Sequence, residues 1–225
     1  MTDRPHADFI RANTRPLPVP SLPSIALYQA DQVTPLWLMT EKDMDRAKEK
    51  IILAPPFWAF AWSGGQALAA YILDHRETVA GKRVLDLACG SGLVGIAAAR
   101  AGAARVLAND IDPYAEAAVA LNAGLNGVRI DFLPGDLVAS GMGGPVPDVD
   151  ILLAGDICYE KTMTGAMLTF LGRARAKNVT VLVGDPHRTY FPRTGFRKLA
   201  DYSVRTIADI EDVAEKPAAV WEFTG

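Results

Sequence analysis

Cysteine is nearly absent from this chain: 225 residues carry only Cys89 and Cys158, and neither belongs to a CxxC or a Cys/His cluster with metal-ligand spacing. That excludes a disulfide framework and a zinc ribbon, and it fits a reducing, cytoplasmic compartment. Histidine is equally sparse. His6, His75 and His187 stand far apart and match no metal pattern, so no metal is expected. Long apolar runs are missing too. The most hydrophobic stretch, residues 51–62, is broken by Pro55 and Pro56 and falls short of the roughly 20 residues a membrane span needs. The first residues, MTDRPHADFIRANTRPLPVPSLP, lack the apolar central run of a secretory signal. Charge of one sign is also lacking. With 26 acidic against 23 basic residues, a net charge of −3, the broad positive field that grips phosphate backbones is not there. The sequence therefore predicts neither a nucleic-acid partner nor a membrane.

What is present is ordinary globular material, 50% hydrophobic and 22% charged, enough for one large domain or one domain with an extension. Pro16, Pro18, Pro20 and Pro23 make residues 1–24 read as an extended arm with at most a helical turn near Phe9, a leader outside the core. Residues 25–225 then form the main domain, with 25–75 as its N-terminal cover. Within that cover the runs IALYQA and VTPLWLM read as strands or extended covers, EKDMDRAKEK as a solvated turn or short helix, and QALAAYILDHRE as a packed helix at 3.6-residue spacing. After it, strands and helices alternate. VLDLA, RVLAND, VRIDFL, VDILLAGDI and NVTVLVGD read as buried strands separated by the helical LVGIAAARAG, DPYAEAAVALNAGLN and KTMTGAMLTFLGRARA; YSVRTI and AAVWEF close the chain as two more strands. This pattern predicts a doubly wound α/β sheet, mostly parallel.

The first strand runs into Gly90-Ser91-Gly92-Leu93-Val94-Gly95, a G-x-G-x-x-G that opens a helix. Glycines there allow a tight turn and close ligand approach, and the free N–H groups of the helix's first turn can receive a negative group. Asp110 ends the next strand, where a carboxylate can accept hydrogen bonds from ribose hydroxyls. Two ligands fit such a nucleoside site, a dinucleotide or S-adenosylmethionine. Asp86, inside the strand before the loop, favours the second, since it would repel pyrophosphate and welcome an ammonium. Its competing reading is a carboxylate that caps the loop by binding nearby amides. Asp136 and Leu137, after the third strand, lie where an adenine edge would be or simply form a turn. At the end of VDILLAGDI, Asp156 and Tyr159 bracket a turn that would face the bound cofactor. They can hold and orient an incoming amine, or else cap a helix and pack. Trp58, Phe60 and Trp62 form an aromatic stripe in which Trp58 and Phe60 read as core and Trp62 as the ligand candidate. GDPHRTY is unusual and gives no mechanism by itself.

The motif Asp86-Leu87-Ala88-Cys89-Gly90-Ser91-Gly92, with Asp110 and the segment from Asp156 to Tyr159, resembles class I S-adenosylmethionine-dependent methyltransferases. More narrowly, PPFWAFAWSGGQALAAYILD, VLDLACGSG, LANDIDPYA, LAGDICYE and LVGDPHR are similar to the electron-transfer-flavoprotein β-subunit lysine methyltransferases of the seven-strand protein-lysine methyltransferase group, over residues 25–223. The resemblance implies a Rossmann-like seven-stranded sheet with its last strand antiparallel, S-adenosylmethionine as donor, S-adenosylhomocysteine as product, and a protein lysine as acceptor. It implies that Gly90 and Gly92 approach the methionine part and Asp110 the ribose. Trp62 would flank the cofactor, with Asp86, Ala88, Ile111, Asp136, Leu137 and Ala154 completing the cofactor set. Asp156 and Tyr159 would stand at the lysine. Ala88 replaces the first glycine usual in the loop, and Ser63 stands where the family often has proline. The implied partner is the flavoprotein β subunit or, by similarity to the catalytic half of ribosomal-protein lysine methyltransferases, a ribosomal protein. A small-molecule or RNA acceptor, an NAD-dependent oxidoreductase and a non-catalytic cofactor-binding module are the competing readings.

Overall fold

A computed structural model describes residues 4–30, 55–139, 144–206 and 213–225. The VTPLWLM run and the charged EKDMDRAKEK segment lie outside the described residues. The chain opens with α1 (Arg4–Asn13) and the antiparallel hairpin β1 (Arg15–Val19) and β2 (Leu22–Gln29). After a short turn over Phe57–Ala59 come α2 (Ser63–Asp74), β3 (Arg83–Leu87), α3 (Leu93–Arg100), β4 (Arg105–Asp110), α4 (Ala115–Leu125) and β5 (Asp131–Pro134). Then follow β6 (Ile151–Gly155), α5 (Lys161–Ala176), β7 (Thr180–Asp185), β8 (Phe196–Arg205) and β9 (Glu215–Phe223).

Among the described residues a seven-stranded sheet runs in the order β5-β4-β3-β6-β7-β9-β8. β3, β4, β5, β6 and β7 are mutually parallel, and β9 enters antiparallel between β7 and β8. Strands buried on both faces explain the continuous apolar runs. Val84, Ile151, Leu153 and Leu182 face one core with α2 and α3, while Leu85, Leu152, Val181 and Val183 face another built on Phe170, Leu171 and Ala174 of α5. The order reverses between β3 and β6, the topological switch point, which places a crevice beyond the carboxyl ends of these strands. The VRIDFL run delivers only the four-residue edge strand β5, because β4 is its single partner and Val128 and Ile130 pack as irregular chain against the core.

The N-terminal segment differs from the expected leader. Ile10, Val19, Ile25 and Leu27 are fully buried. Pro16 and Pro18 sit on β1 opposite Tyr28 and Ala26, whose N–H groups point away to Asn122 and Asn126, so the missing donors there cost no ladder bond; Pro20 lies in the turn and Pro23 near the start of β2. The hairpin is tied down by side chains from far along the sequence. Asn122 of α4 and Asn126 just past its end accept from the backbone N–H groups of Tyr28 (2.7 Å) and Ala26 (3.2 Å), and Gln66 of α2 accepts from the N–H of Ser21 (3.0 Å). Each such buried bond leaves an unsatisfied group, at about 1–3 kcal/mol, if its partner is lost.

Candidate active site

The loop after β3 is the sharpest turn in the site. Ala88, Gly90 and Gly92 all take positive φ, at 52°, 49° and 79°. Glycine adopts these angles freely, whereas Ala88 holds a left-handed conformation at a strain of about 1–2 kcal/mol. The loop is fixed from three sides. Asp110 accepts from the Gly90 N–H at 2.8 Å, the Cys89 N–H donates to the Asn109 carbonyl at 3.0 Å, and Asn122 Nδ2 donates to the Ser91 carbonyl at 2.8 Å. Asn109 is itself anchored to the carbonyls of Leu133 and Gly135.

Asp86 lies fully buried beneath this loop and accepts from the Gly95 N–H, in the first turn of α3, at 2.7 Å. Burial pushes its carboxyl up to about 8, with the Gly95 bond opposing and the neighbouring Asp110 charge assisting. Asp110 is raised by burial against hydrogen bonds from Asp112, Gly90 and Ile111, and Asp112 is raised to about 6 by burial.

Opposite, α2 begins directly against the ends of β6 and β7. A Cβ on Gly155 would come within 2.8 Å of Gly65 Cα, and one on Gly64 or Gly184 would overlap the other's carbonyl oxygen. Only glycines allow this approach, which joins WSGG, AGD and VGD in space. Asp156, at φ 58°, uses the contact: its Oδ2 accepts from the Gly65 N–H at 2.8 Å. Its Oδ1 accepts from Arg188 Nε at 3.1 Å and Nη2 at 2.6 Å. Asp156 thus caps α2, a helix far back in sequence, while Glu160 caps the following helix α5 through the N–H groups of Thr162 and Met163. Asp156 is buried and Tyr159 is 44% exposed, its ring 5.4 Å from Phe57. Trp62 donates its indole N–H to the Phe57 carbonyl at 2.9 Å and packs edge-on to Phe57 and Phe60. Trp58 and Phe60 are buried, with Trp58 stacked on Tyr114.

These elements enclose one cavity of about 660 Å³. Trp62, Asp86, Ala88, Gly90, Asp110, Ile111, Asp136, Asp156 and Tyr159 line it. Gly92, Leu137 and Ala154 stand behind its wall: Gly92 caps α3, and Leu137 and Ala154 are buried in the core beside α5. Asp136 accepts from the Val138 N–H at 2.8 Å, the turn arrangement, while still facing the cavity. Arg188, Asn109 and Gly65 belong to the site and went unassigned from sequence; the GDPHR segment was the one trace of Arg188. Of the histidines, His6 packs on Tyr114 at 4.4 Å, His75 faces Glu77 at 3.6 Å, and His187 sits in the loop after β7 at φ 62°. Among the described residues, no group of three or more His, Cys, Asp or Glu could hold a metal ion, and no helix is long and apolar enough to cross a membrane.

The profile of the ribosomal protein L11 methyltransferase family matches residues 39–155. The electron transfer flavoprotein beta subunit lysine methyltransferase of Xenopus laevis is 36% identical over 206 residues, covering 86% of this chain and 82% of that one. The chain belongs to this lysine methyltransferase family. Solved structures agree on the fold. A protein from Pyrococcus horikoshii solved as a candidate RNA methyltransferase aligns with a TM-score of 0.55 at 16% identity, covering 83% of this chain and 98% of its own. The tRNA (uracil-54, C5)-methyltransferase of Pyrococcus abyssi, solved with S-adenosyl-L-homocysteine, aligns at 0.50 and 18% identity, covering 68% of this chain and 38% of its own. In this member of the lysine methyltransferase family, Ala88 takes the left-handed angle that suits a glycine.

Proposed function

We propose that this protein transfers the methyl group of S-adenosylmethionine to lysine side chains of the electron transfer flavoprotein β subunit. The observation that carries the reaction is a single cavity running from the Gly90–Asp110 loop to the aromatic rim at Phe57, Trp62 and Tyr159. The residues present fit the donor. At 660 Å³ the cavity has the size of a cofactor site. Gly90, at a left-handed φ of 49°, lines the cavity and lets its backbone face the ligand directly. The carboxyl oxygens of Asp86 and Asp110 suit an ammonium and ribose hydroxyls, and an incoming ammonium favours the ionised form of Asp86 that burial otherwise disfavours. When bound, the donor supplies a methyl on a positively charged sulfur, and the lysine lone pair forms the new C–N bond as the C–S bond breaks with its electrons left on sulfur.

In this reading Asp110 accepts from the ribose and Asp86 from the ammonium. Ala88 and Gly90 give close backbone approach. Ile111 and Asp136 border the adenine, Trp62 flanks the cofactor, and Gly92, Leu137 and Ala154 support the wall from behind. Tyr159 and Asp156 stand at the acceptor end. A lysine amine, with a reference pKa of about 10.4, must shed a proton before attack, and the aromatic rim favours its neutral form by excluding water. Alignment of the amine with the methyl is then most of the catalysis, worth about 7–11 kcal/mol.

The flavoprotein as substrate rests on the relatives' name, and a cytoplasmic location on two cysteines free of any disulfide. The match of residues 39–155 to ribosomal protein L11 methyltransferases supports a ribosomal protein as the second candidate acceptor. Isothermal titration with S-adenosylmethionine and, separately, NAD tests the donor. Binding of the first alone is expected, and binding of NAD alone would overturn the reading. Label transfer from the donor to a fractionated cytosolic extract then reads out the acceptor.

A further inference from the structure

We infer that Arg188 is a positioning residue for the reaction: by pairing with Asp156 it cancels the negative charge at the acceptor end of the cavity, so that the entering lysine is held as a neutral amine. The inference rests on the reading of this cavity as a lysine methyl-transfer site and adds a residue with a defined electrostatic task.

The geometry is specific. Arg188 gives two donors to one oxygen of Asp156, at 3.1 and 2.6 Å, and the pair is largely buried, with side chains 20% and 9% exposed. The other Asp156 oxygen accepts from the α2 N-terminus at Gly65, so both oxygens meet positive partners. Both ends of the residue are placed, the guanidinium by Trp62 and the backbone by Asp185. The guanidinium carbon lies 5.9 Å from the Trp62 ring centroid, and the Arg188 backbone N–H donates to Asp185 at 2.8 Å. Asp185 is fully buried at the end of β7, which gives the GDPHR segment a purpose as the mount for this arginine.

The charge consequence follows. An unpaired carboxylate within about 4–6 Å favours the protonated amine by about 1–3 pH units, which suppresses the nucleophile by a similar number of decades. With the guanidinium against it, Asp156 can still accept a hydrogen bond and orient the amine without that penalty. The other groups around this end are Cys158, Tyr159 and Glu160 after β6, Asp185 and His187 after β7, and Asp110 at the end of β4. Tyr159 and Cys158 are pushed up and stay neutral near pH 7.

The test is the pH profile of kcat, which reports the enzyme–substrate complex, for wild type, Arg188→Gln, Arg188→Lys and the double variant Asp156→Asn/Arg188→Gln. Donor affinity is measured in parallel by titration calorimetry. Arg188→Gln is expected to raise the apparent pKa of kcat by about 1 pH unit or more, so that most of its loss at pH 7.5 is recovered at pH 9.5, with donor Kd within about twofold of wild type. Arg188→Lys, which keeps the charge, and the double variant, which removes both charges, are expected to titrate like wild type. An unshifted profile for Arg188→Gln, or a shift that persists in the double variant, would overturn the inference. Should Arg188→Gln not fold, a shifted profile in Arg188→Lys overturns it and a wild-type profile there supports it. Absence of transfer by the wild-type enzyme would instead overturn the methyltransferase reading itself.

Discussion

Asp110 ties the loop and the ligand together: its Oδ2 accepts from the Gly90 N–H and its Oδ1 from the Asp112 N–H, leaving lone pairs directed at the cavity it lines. Replacing it with alanine removes charge-assisted bonds worth about 1.5–3 kcal/mol each. Asp110→Ala is accordingly expected to weaken S-adenosylmethionine binding by about tenfold or more in titration calorimetry; unchanged affinity would remove the ribose assignment. Ala88 gives a prediction of opposite sign. Its φ of 52° carries strain that glycine would not, and the gain is partly offset by glycine's larger unfolded-state entropy. Ala88→Gly is expected to leave thermal stability unchanged or to raise it by up to about 1 kcal/mol, and a fall in Tm would show that the loop is not strained there. Asp86 was legible as a carboxylate in the strand before a glycine loop; the capping role is seen in its bond from Gly95, and its place in the cavity lining is what the proposed ammonium contact rests on.

The start of α2 is seated by two close glycine contacts, Gly64 with Gly184 and Gly65 with Gly155, and this seat sets where Trp62 and Asp156 stand. A methyl group at Gly184 would overlap backbone, which side-chain motion cannot relieve. Gly184→Ala is expected to cost about 2 kcal/mol, lowering Tm by about 4–8 °C, and to reduce turnover along with it. A Tm within a degree of wild type would show that the contact is looser than described. Asn122 works at the same scale, since one side chain accepts from Tyr28 of β2 and donates to Ser91 of the glycine loop. The strands and helices of the main sheet were readable from period, because strands buried on both faces show as unbroken apolar runs and α2 as 3.6-residue spacing; α1 and β1, in the stretch read as an extended arm, were not. How the N-terminal hairpin docks was not readable. Its prolines suggested a leader, and its anchors are Gln66, Asn122 and Asn126, polar side chains whose partners lie 45 to 100 residues away. Arg188 escaped for the same reason, its partner Asp156 being 32 residues distant.

Across the whole molecule, titration of the buried acids sets how stability responds to pH. Asp86 is raised to about 8, and Asp112 and Asp185 to about 6, from an ordinary 3.8. The folded state therefore binds more protons than the unfolded chain between about pH 4 and 8, and stability falls as pH rises through that window. Asp150, lowered to about 2 by Arg83, contributes fully above pH 4 and adds no slope there. The ligand-free protein is expected to melt several degrees lower at pH 8.5 than at pH 5.5. Asp86→Asn, which can still accept from Gly95, should flatten the upper part of that slope, and an identical slope in the variant would contradict the assignment. The sheet, the switch-point cavity and the family membership converge on transfer to a protein lysine. The most direct test is intact-mass and peptide mass spectrometry of purified electron transfer flavoprotein after incubation with this protein and S-adenosylmethionine. The expected result is mass increments of whole methyl groups confined to β-subunit lysines and reduced at limiting donor with Asp110→Ala; an unmodified β subunit, with methyl groups appearing on another protein of a parallel cytosolic extract or on none, would contradict it.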